Sequence, residues 1–534
     1  MKLNDRALKN LEIWKANGIE IPAFDRAAMR EATKSAPVWA HFGSGNLFRA
    51  FPAVCQQTLL NRGLASCGIT AVDSADMIEK IFSPHDNLTL LVRLCADGRI
   101  EKVVVGSIGE TVRVNEDRDR LREILCQPSL QMVSFTITEK GYSLTDAQGN
   151  QAADVAHDCM AGPNFCISYM GRVASLLHLR YARGAAPIAM VSMDNFAHNG
   201  DRLQDAILAF ASAWRKAGVC EEGFYEYVSD PRRVSFPWSM IDKITPRPDP
   251  EIRKLLKASG FEGVEGYITR RGTYVAPFVN AEKAQHLVIE DAFPNGRPAL
   301  EHAGVLFTDR QTVEKAERMK VCTCLNPVHT ALAIFGCLLN YERISEEMKD
   351  PDLVRMAERI GYVEGLPVVA NPGIIDPRAF LDEVLRERFP NPFLLDTPQR
   401  IACDTSQKMP IRFGETIKAY LRSPEMDIAH LRIIPLVFAA WCRYLMGVDD
   451  RGEPFEISAD PMAAPLIEQL SAARLGMRGP MRAMLRPILG NPALFGADLY
   501  GAGLAERVEE DFAAMLAGPG AVRATLRRRL AEKG

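Results

Sequence analysis

The sequence predicts an α/β protein, an N-terminal Rossmann-type doubly wound sheet followed by a mainly α-helical domain. Three observations predict it. Short apolar runs alternate with segments of helical spacing through the first three hundred residues, a loop holding Gly43 and Gly45 follows the first such run, and β-runs nearly vanish beyond about residue 310. Strands alternating with helices imply a parallel sheet covered on both faces. The expected domains are 1–309 and 310–534.

Taken in order, "VWAHFG" (38–43) reads as a strand ending at glycine, "LFRAFPAVCQQTLLNRG" (47–63) as a helix, and "CGITAVDS" (67–74) as a second strand ending in an acid. "KVVVGSI" (102–108), "LQMVSFTIT" (130–138) and "APIAMVSMDN" (186–195) continue the series, with the helical "ISYMGRVASLLHLRYARG" (167–184) before the last. In the second half, "RQTVEKAERMK", "PVHTALAIFGCLLNYERI", "PDLVRMAERIGYV" and "FGETIKAYLRS" place apolar residues at helical intervals.

Composition bounds the function. The 534 residues exceed one compact core, and 47% hydrophobic with 25% charged residues is ordinary for a soluble globular chain. Lys+Arg 64 against Asp+Glu 67 leaves a net charge of -3, without the basic surplus of a nucleic-acid or membrane-surface protein. The basic "RATLRRRLAEKG" reads as a solvated helix end. "MKLNDRALKNLEIW" has no apolar core of an export signal, and the run "IIPLVFAAW" (433–441) is short of the ~20 residues that span a bilayer. Twelve cysteines without a CxxC pair read as reduced, mostly buried thiols in a cytoplasmic setting. Cys322-x-Cys324 followed by His329 fits no standard zinc knuckle, so no metal is expected.

The stretch "HFGSGNLFRAF" (41–51) has the spacing of the first two glycines of a dinucleotide loop, with Phe48 at the third position. Gly43 would permit the tight turn, and Gly45 would let the backbone approach a pyrophosphate on the helix's first amides. Phe48 should prevent the usual close packing of helix on strand. Asp73 ends the next β-run, where an acid accepts hydrogen bonds from the adenosine ribose; a turn former ahead of Ser74 is the plainer alternative. It lies 28 residues past Gly45, more than the usual ~20, which requires a long first helix. Asp76 is the second candidate.

"GSGNLFRA" (43–50), "SFTITEKGY" (134–142), "SMDNFAHNG" (192–200), "FPWSMIDKITP" (236–246), "CLNPVHTALA" (324–333) and "DTPQRIACDTSQKMPIRF" (396–413) together resemble the polyol (long-chain mannitol) dehydrogenase family. That family also contains fructuronate and tagaturonate reductases. The blocks follow its order over some 370 residues, which is far more specific than any one of them. The resemblance implies NAD as coenzyme, held by Gly43, Gly45, Asn46, Leu47, Asp73, Glu139 and Lys140, and a metal-independent reaction.

Reducing a ketone needs a hydride donor, a proton donor at the oxygen and dipoles facing the developing alkoxide. In the family a lysine supplies the proton and two asparagine amides face the oxygen. This implies Lys320 as acid/base, Asn326 and Asn195 as the amides, His329 toward a substrate hydroxyl and Asp242 orienting the lysine or an amide. The step from Lys320 to Asn326 is six residues where the family has five, which a helix bulge would absorb. Lys315 is the nearest alternative. Asn326 before Pro327 also suits a helix N-cap, and Asn199-Gly200 looks like turn chemistry. Arg400 and Lys408 keep the family's interval of eight and suit a polyhydroxylated or carboxylated substrate, since a guanidinium clamps a carboxylate through two hydrogen bonds.

The wording "KVCTCLNPVH" and "YVAPFVNAEKAQ" (274–285) is closer to the uronate members than to the mannitol members. The resemblance therefore implies interconversion of D-fructuronate and D-mannonate, with tagaturonate reduction or fructose/mannitol interconversion as alternatives. A sensor that binds a sugar acid or nucleotide without turnover is the rival from another class; it would need no proton donor. The expected partner is a small sugar acid or polyol, and monomer and small homo-oligomer both stay open.

Overall fold

The computed structural model describes residues 1–270 and 272–532. The chain forms two compact units, one of residues 1–95 and 99–314, the other of residues 96–98 and 315–534.

The first unit is built on six parallel strands: β1 (Trp39–Phe42), β2 (Ile69–Asp73), β3 (Ile108–Arg113), β4 (Met132–Phe135), β5 (Ile188–Ser192) and β6 (Val234–Ser235). Their order across the sheet is 3-2-1-4-5-6, the doubly wound dinucleotide-binding order. β1 and β4 are adjacent strands at which that order reverses, and the register pairs Phe42 with both Val72 and Phe135. Gly43, Asp73 and Thr136 thus leave the sheet at one level.

Alternation along β1 sends Trp39 into one apolar cluster and Ala40 with Phe42 into another, one for each face of the sheet. The first cluster takes α1 (Asn46–Ala50) and α2 (Pro52–Asn61); the second takes α3 (Arg118–Cys126), α4 (Tyr169–Ala182) and α5 (Asn199–Ala217).

Three expectations change here. The segment 47–63 is two helices. Pro52 has no N–H and its ring crowds the carbonyl four residues back, so the chain breaks at Phe51 (φ -134°, ψ -73°). The run "KVVVGSI" is split between Ile100–Val105 and β3, which belong to different sheets. The third concerns those further sheets, which were not foreseen. One has the order Ile19–Glu20, Ile100–Val105, Thr89–Leu94, Phe278–Glu282; another contains β7 (Ser239–Asp242), β8 (His286–Glu290) and β9 (Leu306–Thr308).

The second unit is helical. The chain enters it within α6 (Arg310–Met319), continues as a π-helical turn over Lys320–Cys324, and runs on as α7 (Asn326–Leu338). α8 (Pro398–Ile401), α9 (Thr405–Arg412) and the wholly buried α10 (Ile433–Tyr444) pack around it. The run Arg310–Leu338 is long and apolar enough to cross a bilayer, and 78% of its most apolar window is buried inside the protein, as in a globular core helix. It exceeds the short run at 433–441 that the sequence brings forward first. All twelve cysteines are free thiols, six buried and six half-buried, so "mostly buried" overstated them.

Candidate active site

In the first unit the glycine loop is set by contacts on both sides. Gly43 has φ +90°, and a Cβ there would run into the carbonyl oxygen of Thr136, so only glycine fits. Gly45 opens α1, and a Cβ on it would meet only open space. The front of the loop is therefore clear for a ligand to approach the backbone.

Phe48 is fully buried and stacks on the His41 ring, with centroids 4.1 Å apart and planes 13° from parallel. The aromatic pair fills the space that a third glycine would close. Burying such a side chain contributes about 1.5–3 kcal/mol. His41 lies between Ser134 Oγ (2.6 Å from Nδ1) and Thr136 Oγ1 (2.9 Å from Nε2), and burial pushes its pKa down to about 3. It is a neutral strut.

Asp73 ends β2 and its Oδ2 accepts from the Ser44 amide at 2.6 Å and the Ser44 hydroxyl at 2.7 Å. Its Oδ1 accepts from Ser74 N at 2.7 Å. Asp73 is thus a turn former that also closes on the glycine loop. Asp76, the second candidate, instead accepts from Arg270 N at 2.8 Å. Asn46 donates to Pro246 O at 3.3 Å and accepts from Arg49, and Leu47 is half-buried. Glu139 and Lys140 are exposed in a 3-10 turn just past β4.

Asn195 is exposed three residues past β5, on the C-terminal edge of the sheet, and Asp242 is buried at the end of β7. The neighbouring Lys243 sends its ammonium to Glu282 O (2.8 Å) and Gln285 Oε1 (3.0 Å). Asn199-Gly200 is not a turn. Asn199 begins α5 and is fully buried, exchanging hydrogen bonds with Ser239, and a Cβ on Gly200 would strike Phe236 O.

In the second unit the extra residue between Lys320 and Asn326 is taken up by the π turn, in which Leu325 N bonds Lys320 O at 3.1 Å. Lys320 is 2% exposed, whereas Lys315 is exposed on the preceding helix. Of the two lysines, only Lys320 is buried.

Asn326 opens α7 beside Pro327, and its carboxamide makes no hydrogen bond among the described residues. The capping role is therefore absent. His329 packs on Phe389 with ring centroids 4.9 Å apart, and its buried Nε2 has no hydrogen-bond partner, the nearest carboxylate oxygen being Asp396 Oδ2 at 3.6 Å. Burial first, then Arg412, Arg388, Arg400 and Lys408, hold its pKa near 3.

The four cations differ. Arg400 is 62% exposed and paired with Asp396. Lys408 points its ammonium at the carbonyls of Ile401 and Cys403, and burial lowers its pKa. Arg388 is buried. Arg412 is mostly out of solvent, its pKa pushed down to about 10 by burial, and bonds only Thr330 Oγ1 among the described residues. No carboxylate meets Arg412 among the described residues, whereas Arg400, the expected anion clamp, is already paired with Asp396. Cys324 is buried with its thiol on Pro377 O, and among the described residues no three His, Cys, Asp or Glu side chains converge as a metal site requires.

Two family profiles match the chain. The mannitol dehydrogenase Rossmann domain covers residues 39–302 and the mannitol dehydrogenase C-terminal domain covers residues 312–516. The chain belongs to the mannitol dehydrogenase family. A D-mannonate oxidoreductase of Thermotoga maritima is 49% identical over 98% of each chain. Among solved structures, Pseudomonas fluorescens mannitol 2-dehydrogenase in ternary complex with NAD and D-mannitol is 28% identical, with a TM-score of 0.70 and 100% of both chains covered. A substrate-free D-sorbitol dehydrogenase is 25% identical, with a TM-score of 0.79 over 95% of this chain and 97% of that one.

Three residues of this family member escaped the sequence reading. Arg49 is buried beneath the glycine loop, bonding Ala276 O at 2.7 Å and Asn46 Oδ1 at 3.0 Å. Asp194 is buried beside the loop that follows β4, and Arg412 sits beside His329. Each lies inside a quoted motif, but how deeply a side chain is placed and what it bonds leave no mark in a sequence.

Proposed function

We propose that this chain is an NAD-dependent oxidoreductase that interconverts D-fructuronate with NADH and D-mannonate with NAD. The observation that carries the substrate class is the cationic surround of His329, in which Arg412 lacks a carboxylate among the described residues. The name of the Thermotoga relative supports the same choice. The residues present fit the coenzyme: the 3-2-1-4-5-6 sheet, the tight Gly43, the open face of Gly45 and the acid at the end of β2 form a dinucleotide cradle.

When bound, NADH supplies the hydride to the ketone carbon. Lys320 gives its proton to the carbonyl oxygen in reduction and takes it back in oxidation. Asn326 turns its free carboxamide N–H toward that oxygen as negative charge develops, and Asn195 and Asp242 keep the roles that the resemblance gives them. His329, neutral across the working pH range, offers Nε2 to a substrate hydroxyl. Arg412, with Lys408 one turn before it, receives the carboxylate at the far end of the sugar acid.

A second reading, mannitol 2-dehydrogenase, has one observation in its favour, the likeness to the P. fluorescens enzyme solved with D-mannitol. The test is NADH oxidation with fructuronate, tagaturonate and fructose side by side. The proposal expects fructuronate to have the highest kcat/KM, and a preference for fructose would transfer the function to the polyol reading.

A further inference from the structure

We propose that Asp194 is a positioning residue which holds the loop 136–142 in the shape that receives the coenzyme. The inference rests on the coenzyme reading above and adds a residue that acts through the backbone. The loop leaves β4 at the reversal of the sheet order, beside the Gly43 turn, where open α/β sheets bind their ligands.

Its conformation is costly. Thr138 has φ +65° and ψ 159°, a region that essentially only glycine occupies without strain. Asp194 offsets this. Its Oδ2 accepts from Ile137 N at 3.0 Å and from the Tyr142 hydroxyl at 2.6 Å, and its Oδ1 accepts from Thr138 N at 2.9 Å. The backbone that carries Asp194 is itself fixed: Asn199 Nδ2 donates to the Asp194 carbonyl at 2.9 Å, and Met193 N donates to Phe135 O at 2.8 Å. At the other end of the loop, Thr136 Oγ1 donates to Gly43 O at 2.6 Å. The clamp thereby joins β5, the β4 loop and the glycine turn, leaving Glu139 and Lys140 exposed on the outer side.

An ionised carboxylate only accepts, which suits three donors converging on it. Asparagine at 194 would keep one acceptor and set an amide N–H against a remaining donor. Thr138 would then relax out of its strained conformation and the coenzyme would meet a misplaced loop. Glycine at 138 removes the strain, so the loop no longer needs the full clamp.

The experiment titrates NADH onto the full-length chain by fluorescence and records Tm alongside. Asp194→Asn should raise the Kd for NADH about 30-fold, roughly 2 kcal/mol at 1.4 kcal/mol per decade. Adding Thr138→Gly should recover about tenfold of that loss, a rescue that a merely structural role would not give. Unchanged NADH affinity in Asp194→Asn overturns the proposal, and so does a loss that Thr138→Gly leaves uncorrected. If Asp194→Asn fails to fold, Tyr142→Phe removes one of the three donors; a rise of about threefold in Kd supports the clamp and an unchanged Kd overturns it. A wild-type chain that takes up no NADH defeats the coenzyme reading itself, a separate and recognisable failure.

Discussion

Replacing Arg412 by alanine is the sharpest test of the substrate's charge. The guanidinium is largely withdrawn from water, bonds one hydroxyl, and meets no carboxylate among the described residues. A substrate carboxylate docking there would form a charge-assisted pair in a site already partly dry. Removing one partner of such a pair costs about 2–5 kcal/mol, so kcat/KM for fructuronate should fall roughly thirty- to several-thousandfold. Arg400 supplies the internal control. It is 62% exposed and already paired with Asp396, and an exposed pair is worth about 0–1 kcal/mol, so Arg400→Ala should cost about fivefold or less. Fructose, which has a hydroxyl where the uronate has a carboxylate, should lose far less than fructuronate in Arg412→Ala. Arg412→Lys keeps the charge without the planar fork and should fall between the two. The assay is initial-rate NADH oxidation for wild type and the three variants on both substrates. Equal losses on fructuronate and fructose would refute the anchor, and a larger loss in Arg400→Ala would return that role to Arg400.

Lys320→Ala should lower kcat by at least about a hundredfold while NADH still binds, and Lys315→Ala should stay near wild type, because general acid catalysis contributes about 10²–10⁴; the reverse pattern in single-turnover rates sinks the assignment. NADH should be preferred over NADPH, since a 2′-phosphate would bring like charge to Asp73 if that acid takes the ribose as proposed. Asp73→Ala should narrow the ratio of kcat/KM values about tenfold or more, while weakening both coenzymes through loss of its bonds to Ser44. His41 gives a stability prediction. Its folded pKa is about 3 against 6.5 for an ordinary histidine, so the unfolded chain gains the proton first. Stability from this group is full above pH 6.5 and is lost as pH falls toward 3, at up to about 1.4 kcal/mol per pH unit. Urea midpoints at pH 7 and pH 5 should therefore drop more in wild type than in His41→Gln; equal drops would show that His41 is not held neutral.

How much of this was legible differs between fold and site. The parallel sheet could be read because each strand is an apolar run that alternates with a helix, and because a strand covered on both faces need not show polar alternation. The sheets containing Thr89–Leu94 and β7 were missed for the same reason. They interrupt the simple strand–helix rhythm, and a short apolar run does not say which sheet it joins. Pro52 was visible, yet its effect was overridden by the apolar spacing on either side. Phe48 looked like an obstacle to helix packing because the residue that stacks on it, His41, is seven positions away in another element.

In the site, chemistry carried by residue type was legible and chemistry carried by burial was not. Lys320 and Lys315 are equivalent as letters; the π turn that absorbs the extra residue, and the depth at which it leaves Lys320, separate them. Arg400 and Arg412 show the same limit with the opposite result. Spacing favours Arg400, but a cation 62% exposed beside Asp396 has its charge already answered, while Arg412 is half-buried and bonded to a neutral hydroxyl. A half-buried guanidinium without a carboxylate is costly in the free chain, and an anion docking there, as proposed, would return part of that cost. The strained Thr138 and its clamp Asp194 follow the same logic on the coenzyme side: a locally unfavourable group is held where a ligand can make use of it. A sequence names the groups, and only the fold reveals which of them are kept waiting.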